Sequence, residues 1–524
     1  MTNHARRYQR SMVVTLLDLR NAFGEVDHNL IQCVLDYHHI PNTVKNLVSE
    51  LYKDYTISIG TKSFTTNPIY VRKGVLQGDC LSPLLFNMCF NTLIKCIEHE
   101  KIKMIGYCFS DSLQPRHWFQ FADDTALATA TEEDNQALLN VFSKWSTWAK
   151  FKIRIDKCLT FGIKKNGKVS AQYKPYVLVS NEMIPPVDIE NSFEYLGKLF
   201  NFKMCCDSVK DDLITETRNF LTKINQLPLH PRNKFRIFAI YVTSKLRWRF
   251  TIYNLTETWV KENLDNILTY YVRQWLHIPR SSNISHLRLS VKNFGYGLQL
   301  PSDVYHFCKL TLRSILKHSK NEDIKKLYHL TSYKNINTDI IISSSDNTKK
   351  PKSIMQNQIE NEINKNFLQL KEQSGMIIHL KEEITKKGVE TWNLLIKCLP
   401  PNIFNFCRKS LIYSLTNNSN LFRWKRSNSD KCDLCQKKQT QLHVLNNCTV
   451  AVRDGRYNWR HDSILSTLVN YMSYLSQHGF EMYADLNGFR SPSELFKSYR
   501  PDVVLRRNNK LFIFELAVCF ETNT

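Results

Sequence analysis

Phe121-Ala122-Asp123-Asp124 sets two adjacent carboxylates at the end of the run His117-Trp118-Phe119-Gln120. A third carboxylate, Asp18, closes the run Val13-Val14-Thr15-Leu16-Leu17, which is rich in β-branched residues. Two strands that both end in acids can deliver three carboxylates to one place. A turn between short strands holds the side chains still and leaves its tip open to a bulky substrate. This is what a two-metal site requires: divalent ions about 3.5–4 Å apart, held by carboxylate oxygen and by the phosphates of the substrate. Taken alone, Asp123-Asp124 reads more readily as a solvated turn, because short motifs recur by chance. The neighbouring segments decide.

Those segments are Asp18-Leu19-Arg20-Asn21-Ala22-Phe23, then Arg72-Lys73-Gly74-Val75-Leu76-Gln77-Gly78-Asp79-Cys80-Leu81-Ser82-Pro83, then Phe121 to Asp124, then Phe193-Glu194-Tyr195-Leu196-Gly197. In motif content and order the chain resembles the reverse transcriptases of non-LTR retrotransposons. The resemblance implies an RNA-directed DNA polymerase using two Mg²⁺ ions, with Asp18 and Asp123 as principal ligands and Asp124 completing the acidic set. It implies that Phe23 is the aromatic gate against a 2′-hydroxyl and that Gln77 and Gly78 form the turn against the incoming nucleotide and template. Lys157, within Arg154-Ile155-Asp156-Lys157-Cys158, takes the place of the lysine near the triphosphate, and Tyr195, Leu196 and Gly197 that of the hairpin gripping the primer end. Each position also has a plainer reading. Phe23 fits an ordinary core aromatic at helical spacing from Leu19, Lys157 a solvated surface lysine, and Tyr195 and Leu196 packing residues.

Composition points the same way. Lys plus Arg total 71 against 48 Asp plus Glu, a formal charge of +23 with a pI near 9.3, which favours a polyanionic partner. The expected partners are an RNA template, a DNA primer or target, and deoxynucleoside triphosphates. No stretch reads as a membrane span, and the N-terminus Met1-Thr2-Asn3-His4-Ala5-Arg6-Arg7 lacks the apolar core of a signal peptide. Fifteen cysteines, several spaced like metal ligands, suit a reducing compartment. The expected location is intracellular, and nuclear if the target is chromosomal DNA.

With 524 residues, 43% of them hydrophobic, the chain should form three or four domains. The pattern predicts helices over Cys80 to Glu98 and from a Thr131 cap through Trp145 to Lys150. It predicts strands ending at Asp18, around Phe121-Asp124, and over Lys152 to Phe161, making residues 1–200 a palm with partial fingers. Residues 205–320 read as a helical thumb: Phe220, Leu221, Ile224 and Leu227 fall at helical spacing, and Lys234, Arg236, Lys245, Arg247 and Arg249 form a basic series suited to phosphates or to a solvated face. The Asn, Ser and Lys content of 331–365 reads as a linker, and 366–430 as a helical connector with a helix over Ile378 to Leu399.

Cys432, Cys435, His443 and Cys448 form a knuckle over 431–450 whose three thiols and one imidazole match a closed, structural tetrahedral Zn²⁺ site. Such a knuckle either presents basic and aromatic residues to nucleic acid or staples two domains, and the spacing alone does not choose. In residues 451–524, Asp502 follows Arg500-Pro501, and Glu515 lies inside Leu511-Phe512-Ile513-Phe514-Glu515-Leu516-Ala517-Val518. That apolar run predicts a buried strand, where a carboxylate is expensive without a partner. The arrangement resembles the restriction-like endonuclease found after such a knuckle in the R2-like branch of these elements. The resemblance implies that Asp502 and Glu515 hold Mg²⁺ for DNA nicking. Position 517 is Ala where that family carries a lysine, which leaves Glu521 as a substitute.

The expected fold is therefore α+β and multidomain: a right-hand palm of antiparallel sheet with helices, a helical thumb, a zinc knuckle, and a C-terminal α/β domain like a restriction endonuclease, expected to be incomplete. Only 17 residues precede Asp18, so fingertip motifs are expected to be missing and the chain reads as an N-terminally truncated element. The expected function is target-primed reverse transcription. The alternative is a non-catalytic, nucleic-acid-binding remnant of such an element.

Overall fold

The computed structural model describes residues 1–99, 105–109, 114–280, 282–290, 295–330, 351–369 and 399–517. The chain divides into two compact units, Met1–Val209 and Lys210–Thr524.

The first unit begins with α1 (Thr2–Arg7), β1 (Met12–Leu17), α2 (His28–Tyr37), α3 (Asn42–Tyr52), the short hairpin β2 (Thr56–Ile57) and β3 (Ile69–Tyr70), and α4 (Ser82–His99). It continues with β4 (Trp118–Phe121), β5 (Asp124–Thr129), α5 (Glu132–Trp148), β6 (Leu159–Asn166), β7 (Val169–Tyr173), and the hairpins β8 (Leu178–Val179) with β9 (Glu182–Met183) and β10 (Phe193–Tyr195) with β11 (Lys198–Phe200). Five strands form one antiparallel sheet in the order β4-β5-β1-β6-β7, with β1 at its centre.

Strand alternation sorts the side chains of β1 to two faces. Met12 and Leu16 join Ala126, Ala128, Phe161 and Ile163 in one cluster, while Leu17 and Leu127 join Leu138, Phe142, Phe90 and Trp145 in the other, beneath α4 and α5. Thr15 lies among the latter and donates to Asn135 Oδ1 at 2.7 Å, and Asn135 donates to Thr129 Oγ1 at 3.2 Å, so the buried polar groups satisfy one another. Thr131 caps α5 by accepting from the Asp134 N–H, as its position before Glu132-Glu133-Asp134 predicts. Trp145 reaches from α5 to donate to Thr92 of α4 at 2.8 Å. This is the expected antiparallel sheet backed by helices. One strand boundary differs: residues 152–158 do not extend β6 but turn through a 3₁₀ segment, Ile155–Lys157. Backbone bonds from Arg154 N to Asp18 O (2.9 Å) and from Arg20 N to Lys152 O (2.8 Å) tie this stretch to the end of β1 instead.

The second unit starts helical, with α6 (Asp207–Gln226), α7 (Pro231–Ile237) and α8 (Thr243–Ile252), followed by the helices Asn266–Trp275 and Pro301–Lys317. Leu221 and Ile224 are buried on α6, but Leu227 lies past its end and is exposed. Four of the five residues of the basic series have partners within this unit. Arg249 pairs with Glu216 at 3.1 Å, Lys245 lies over Phe220, Arg247 over Phe307, and Lys234 donates to Asn225 O. The linker reading is corrected in part: 331–350 lie outside the described residues, whereas 351–365 belong to the helix Pro351–Leu368. The helix read over Ile378 to Leu399 lies outside the described residues except for Leu399. Later come the helices Pro401–Leu411, Asn418–Arg423 and Asn458–Met472, and then an antiparallel sheet of β12 (Glu481–Ala484), β13 (Val503–Arg507) and β14 (Lys510–Phe514).

Here the structure overturns a second expectation. The apolar run from Leu511 forms the edge strand β14, with Leu511, Phe512, Ile513 and Phe514 between 44% and 53% exposed. The buried strand of this sheet is β13, whose Val503, Val504 and Leu505 are covered. Apolar composition predicts that a strand would gain by being covered; it does not supply the covering element, and among the described residues no further strand pairs with the outer edge of β14.

Candidate active site and metal centre

Strand register brings the first set of acids together. Leu17 of β1 pairs with Thr125 of β5, and Phe121 of β4 pairs with Asp124. Asp18, one residue past Leu17, therefore meets Asp124 at the same end of the sheet, and Asp123 occupies the turn beside them. That turn spans only Ala122 and Asp123, with Ala122 at φ +52°, a conformation hairpin turns ordinarily assign to Gly, Asn or Asp. Gln120 secures it: its amide donates to Ala122 O at 2.7 Å, while its carbonyl oxygen accepts from Trp118 Nε1 at 3.1 Å.

The acids feel one another. Burial pushes the Asp18 carboxyl upward, Lys157 and Arg154 pull it down, and Asp123 and Asp156 add repulsion. Asp124 is also raised, by burial first and then by the charges of Asp123 and Asp18. Carboxylates crowded at one sheet end in this way would gain from a cation. Among the described residues, however, only the Cys/His set below draws three or more potential ligand atoms into a single tight shell.

Two features here escaped the sequence reading. The Arg154 guanidinium lies 3.8 Å from Asp18 Oδ2 while its Nη2 holds Asp156 at 3.0 Å. Gly74, at φ +90°, packs so closely on Gly24 that an added Cβ would lie 2.8 Å from the Gly24 backbone. Gly74 N donates to Val26 O at 2.7 Å and Val75 N to Phe23 O at 2.8 Å, so the loop before Gln77 is stitched to the segment carrying Phe23. The paired glycines were the available signal. No signal marked Arg154, because a basic residue beside an acid three residues from a lysine reads as surface.

Phe23 is half-buried and stacks on the buried Phe86 of α4, centroids 4.1 Å apart and 10° from parallel. Gln77 and Gly78 are exposed in a turn closed by Asp79 N to Leu76 O at 3.3 Å, with Gly78 at φ +102°. That angle at the third turn position is where a type II turn calls for glycine. Lys157 is exposed and acts on Asp18 through charge. The hairpin β10–β11 turns through Leu196 (φ +49°) and Gly197 (φ +75°), and the Tyr195 hydroxyl approaches Phe119 O and Asp124 O, both at 3.5 Å. Burial pushes the Tyr195 phenol up to about 12. The fold thus gathers Asp18, Asp123, Asp124, Lys157 and Tyr195 around one sheet end.

In the second unit, Cys432, Cys435, His443 and Cys448 place one ligand atom each within 4.8 Å of all the others. Cys432 Sγ and Cys448 Sγ are 4.0 Å apart, near the roughly 3.8 Å that two thiolates span on a tetrahedral Zn²⁺ with bonds of about 2.3 Å. Cys435 Sγ lies 3.3 Å from His443 Nε2. Burial works against a thiolate at Cys432, but backbone N–H groups of Cys435 and Leu434 and the His443 side chain outweigh it and bring the thiol down to about 6. The donor set fits zinc. The knuckle is also tied on both sides: Gln441 donates to Ser410 at 3.0 Å, and Tyr457 donates to His443 O and Val444 O at 3.3 and 3.1 Å. These bonds tie the knuckle to the segments on either side of it.

The last set of acids is arranged differently. Val503 pairs with Phe514, so Asp502 and Glu515 sit at one end of the β13–β14 hairpin. Asp502 accepts from Leu516 N at 2.6 Å and lies 3.3 Å from His461 Nε2, while Glu515 is exposed. Glu521 lies outside the described residues.

Residues 2–199 match the family model described as reverse transcriptase (RNA-dependent DNA polymerase). The chain is 25% identical over 300 residues to the Retrovirus-related Pol polyprotein from type-2 retrotransposable element R2DM of Drosophila melanogaster, covering 56% of this chain and 27% of the relative. It is 28% identical over 304 residues to a Pol polyprotein from an R2 element of Popillia japonica, covering 56% and 40% respectively. The chain thus spans well under half the length of these relatives. A telomerase from Candida albicans, solved with a fragment of telomeric RNA, aligns over 61% of this chain and 49% of its own at 12% identity, with a TM-score of 0.24, too low to carry an argument.

Proposed function

We propose, from the premise that residues 2–199 are a reverse transcriptase domain of the R2-like kind, that the chain copies RNA into DNA from a primer 3′-hydroxyl at a DNA target, in the compartment that holds that target. The carrying observation is the register that sets Asp18 opposite Asp124 beside Asp123, with their mutual electrostatic repulsion. In the reaction the 3′-oxygen forms a bond to the α-phosphorus of a deoxynucleotide as the bond to pyrophosphate breaks. Mg²⁺, when bound, supplies positive charge against the attacking oxygen and the leaving group.

The residues of the chain do the rest. Asp18 and Asp123 hold the ions, with Asp124 completing the acidic set. The stitched Gly24–Gly74 contact fixes Phe23 relative to Gln77 and Gly78, so that the ring meets the sugar and the turn meets base and template. Lys157 lies where it can meet the triphosphate. The Leu196-Gly197 hairpin, docked on the Asp123 turn through Tyr195, positions the primer end, and orientation of this kind is worth several kcal/mol of barrier. The zinc knuckle, with Cys432, Cys435, His443 and Cys448 as ligands, ties neighbouring segments of the second unit together. DNA nicking through Asp502 and Glu515 belongs to the same reading on narrower support, the shared hairpin end.

Primer extension on an RNA template with deoxynucleotides and Mg²⁺ is the test. Extension by the parent chain and none by Asp123→Ala is expected. Duplex binding without extension by either protein would leave the non-catalytic remnant as the better description.

A further inference from the structure

The second unit holds a cavity of about 690 Å³, lined by Asn225, Tyr270, Arg273, Gln274, His277 and Arg280 among others. This is room for a nucleotide rather than for a lone ion. Among the described residues the lining carries no carboxylate. Asn225 uses Oδ1 to accept from Trp275 Nε1 at 3.1 Å, which leaves its amide NH₂ for the cavity. Arg273 places one Nη 3.4 Å from Ser282 O, while its Nε is buried with no hydrogen-bond partner. That N–H is shut off from solvent, so an anion in the cavity would meet the remaining guanidinium N–H groups of Arg273 and those of Arg280.

The wall is built to keep carbonyls out of the way. The helix Asn266–Trp275 ends in a Schellman arrangement, with Ile278 N donating to Arg273 O at 3.0 Å and His277 N to Gln274 O at 3.1 Å. These bonds occupy C-terminal carbonyls that would otherwise repel an anion. The left-handed position is His277, at φ +49°, rather than the Gly this motif favours. Tyr270 adds an aromatic face that is 45% exposed.

We propose that this cavity binds one nucleotide of a single-stranded nucleic acid, with Arg273 and Arg280 on the phosphate and Tyr270 stacked on the base. Phosphate with guanidinium and base with aromatic face are the two contacts by which proteins hold single strands. The strand as ligand rests on the reverse transcriptase reading; the chemistry of the cavity, an organic phosphate, does not.

The test is fluorescence anisotropy of a labelled single-stranded RNA oligomer with the full chain and the variants Arg280→Glu, Tyr270→Ala and Arg273→Ala. Arg280 and Tyr270 are surface-accessible, so these two variants should fold as the parent does even if Arg273→Ala does not, and thermal melting monitors this. Each of the two is expected to weaken binding roughly tenfold, with Arg280→Glu also lowering the slope of log affinity against log salt by about 1. Unchanged affinity and slope in both would overturn the proposal. Displacement of the oligomer by AMP at equal nucleotide concentration, with no advantage for the strand, would overturn the strand in favour of a free nucleotide. Extension on a short primer–template, parent against Asp123→Ala, is scored separately, so failure of the cavity and failure of the polymerase reading are distinguishable.

Discussion

Two sheets in this protein end in clustered acids, three at one and two at the other, and they are built to different standards. At the Asp18–Asp123–Asp124 end, β1 is the central strand of five, with one apolar cluster under helices on one face and a second cluster on the other. At the Asp502–Glu515 end, the sheet has three strands, one apolar cluster against the helix Asn458–Met472, and an edge strand about half exposed. A catalytic carboxylate must keep its position against the charge it binds, and that demands support from both faces of the strand. The first site has it. The second has one supported acid, Asp502, and one exposed acid, Glu515.

The sharpest way to break the comparison is to remove one acid from each end. Asp123→Ala should take primer extension to background, a loss on the order of 10³-fold or more, while Asp502→Ala should leave extension unchanged; a supercoiled-plasmid nicking assay on the same pair reports the other end. Equal loss of extension in both would mean that the two ends do not act independently.

Metal removal is next. Structural zinc in comparable small sites is worth about 10–16 kcal/mol of folding free energy. Cys432→Ser, or chelation, should therefore unfold the knuckle and open the bonds to Ser410 and Tyr457, seen as loss of bound zinc and new protease cleavage near residues 431–457. The melting of the isolated first unit, if that unit folds alone, should not respond to the chelator.

Packing provides a smaller contrast. Phe142, fully buried between sheet and helices, should cost about 3–5 kcal/mol when changed to Ala. Phe512 on the edge strand, 44% exposed, should cost about 1 kcal/mol or less, the scale of a partly exposed contact. Denaturant unfolding of each variant measures both, and a large loss at Phe512 would mean that β14 is covered in solution.

The smallest effect concerns the turn itself. Ala122→Gly relieves a left-handed Ala but adds freedom to the unfolded chain, so stability should change by less than about 1 kcal/mol in either direction. Extension is the more sensitive readout, because a loosened turn moves Asp123.

Much of the first site was legible in the residues because its signals are local. An acid ending a β-branched run, two adjacent acids at the join of two short strands, and a glycine at the bend of Gln77-Gly78 each follow from nearest-neighbour geometry. The Thr131 cap and the Cys/His spacing are local in the same way. What escaped was long-range. Arg154 reads as a surface residue until the bond from its backbone to Asp18 O brings it beside the carboxylate. The basic series from Lys234 to Arg249 reads equally as a phosphate track or a solvated face, and only the fold shows Glu216, Phe220 and Phe307 beside three of its members. The strand at Leu511 was misread for the same reason, since an apolar run states what a strand would gain by burial and says nothing of the element that must cover it.

The sequence by itself thus determined the residue types: three carboxylates at strand ends, three thiols and an imidazole at metal-ligand spacing, an excess of positive charge, and motifs in the order of those of a reverse transcriptase. Only the tertiary structure decided which acids share a sheet end, which cations are free to meet phosphate, and which strand is an edge. The physical reason is that residue type and short spacing fix what a group can do, whereas register, burial and partner choice depend on contacts between residues far apart in the chain, and those contacts set the field in which the group acts.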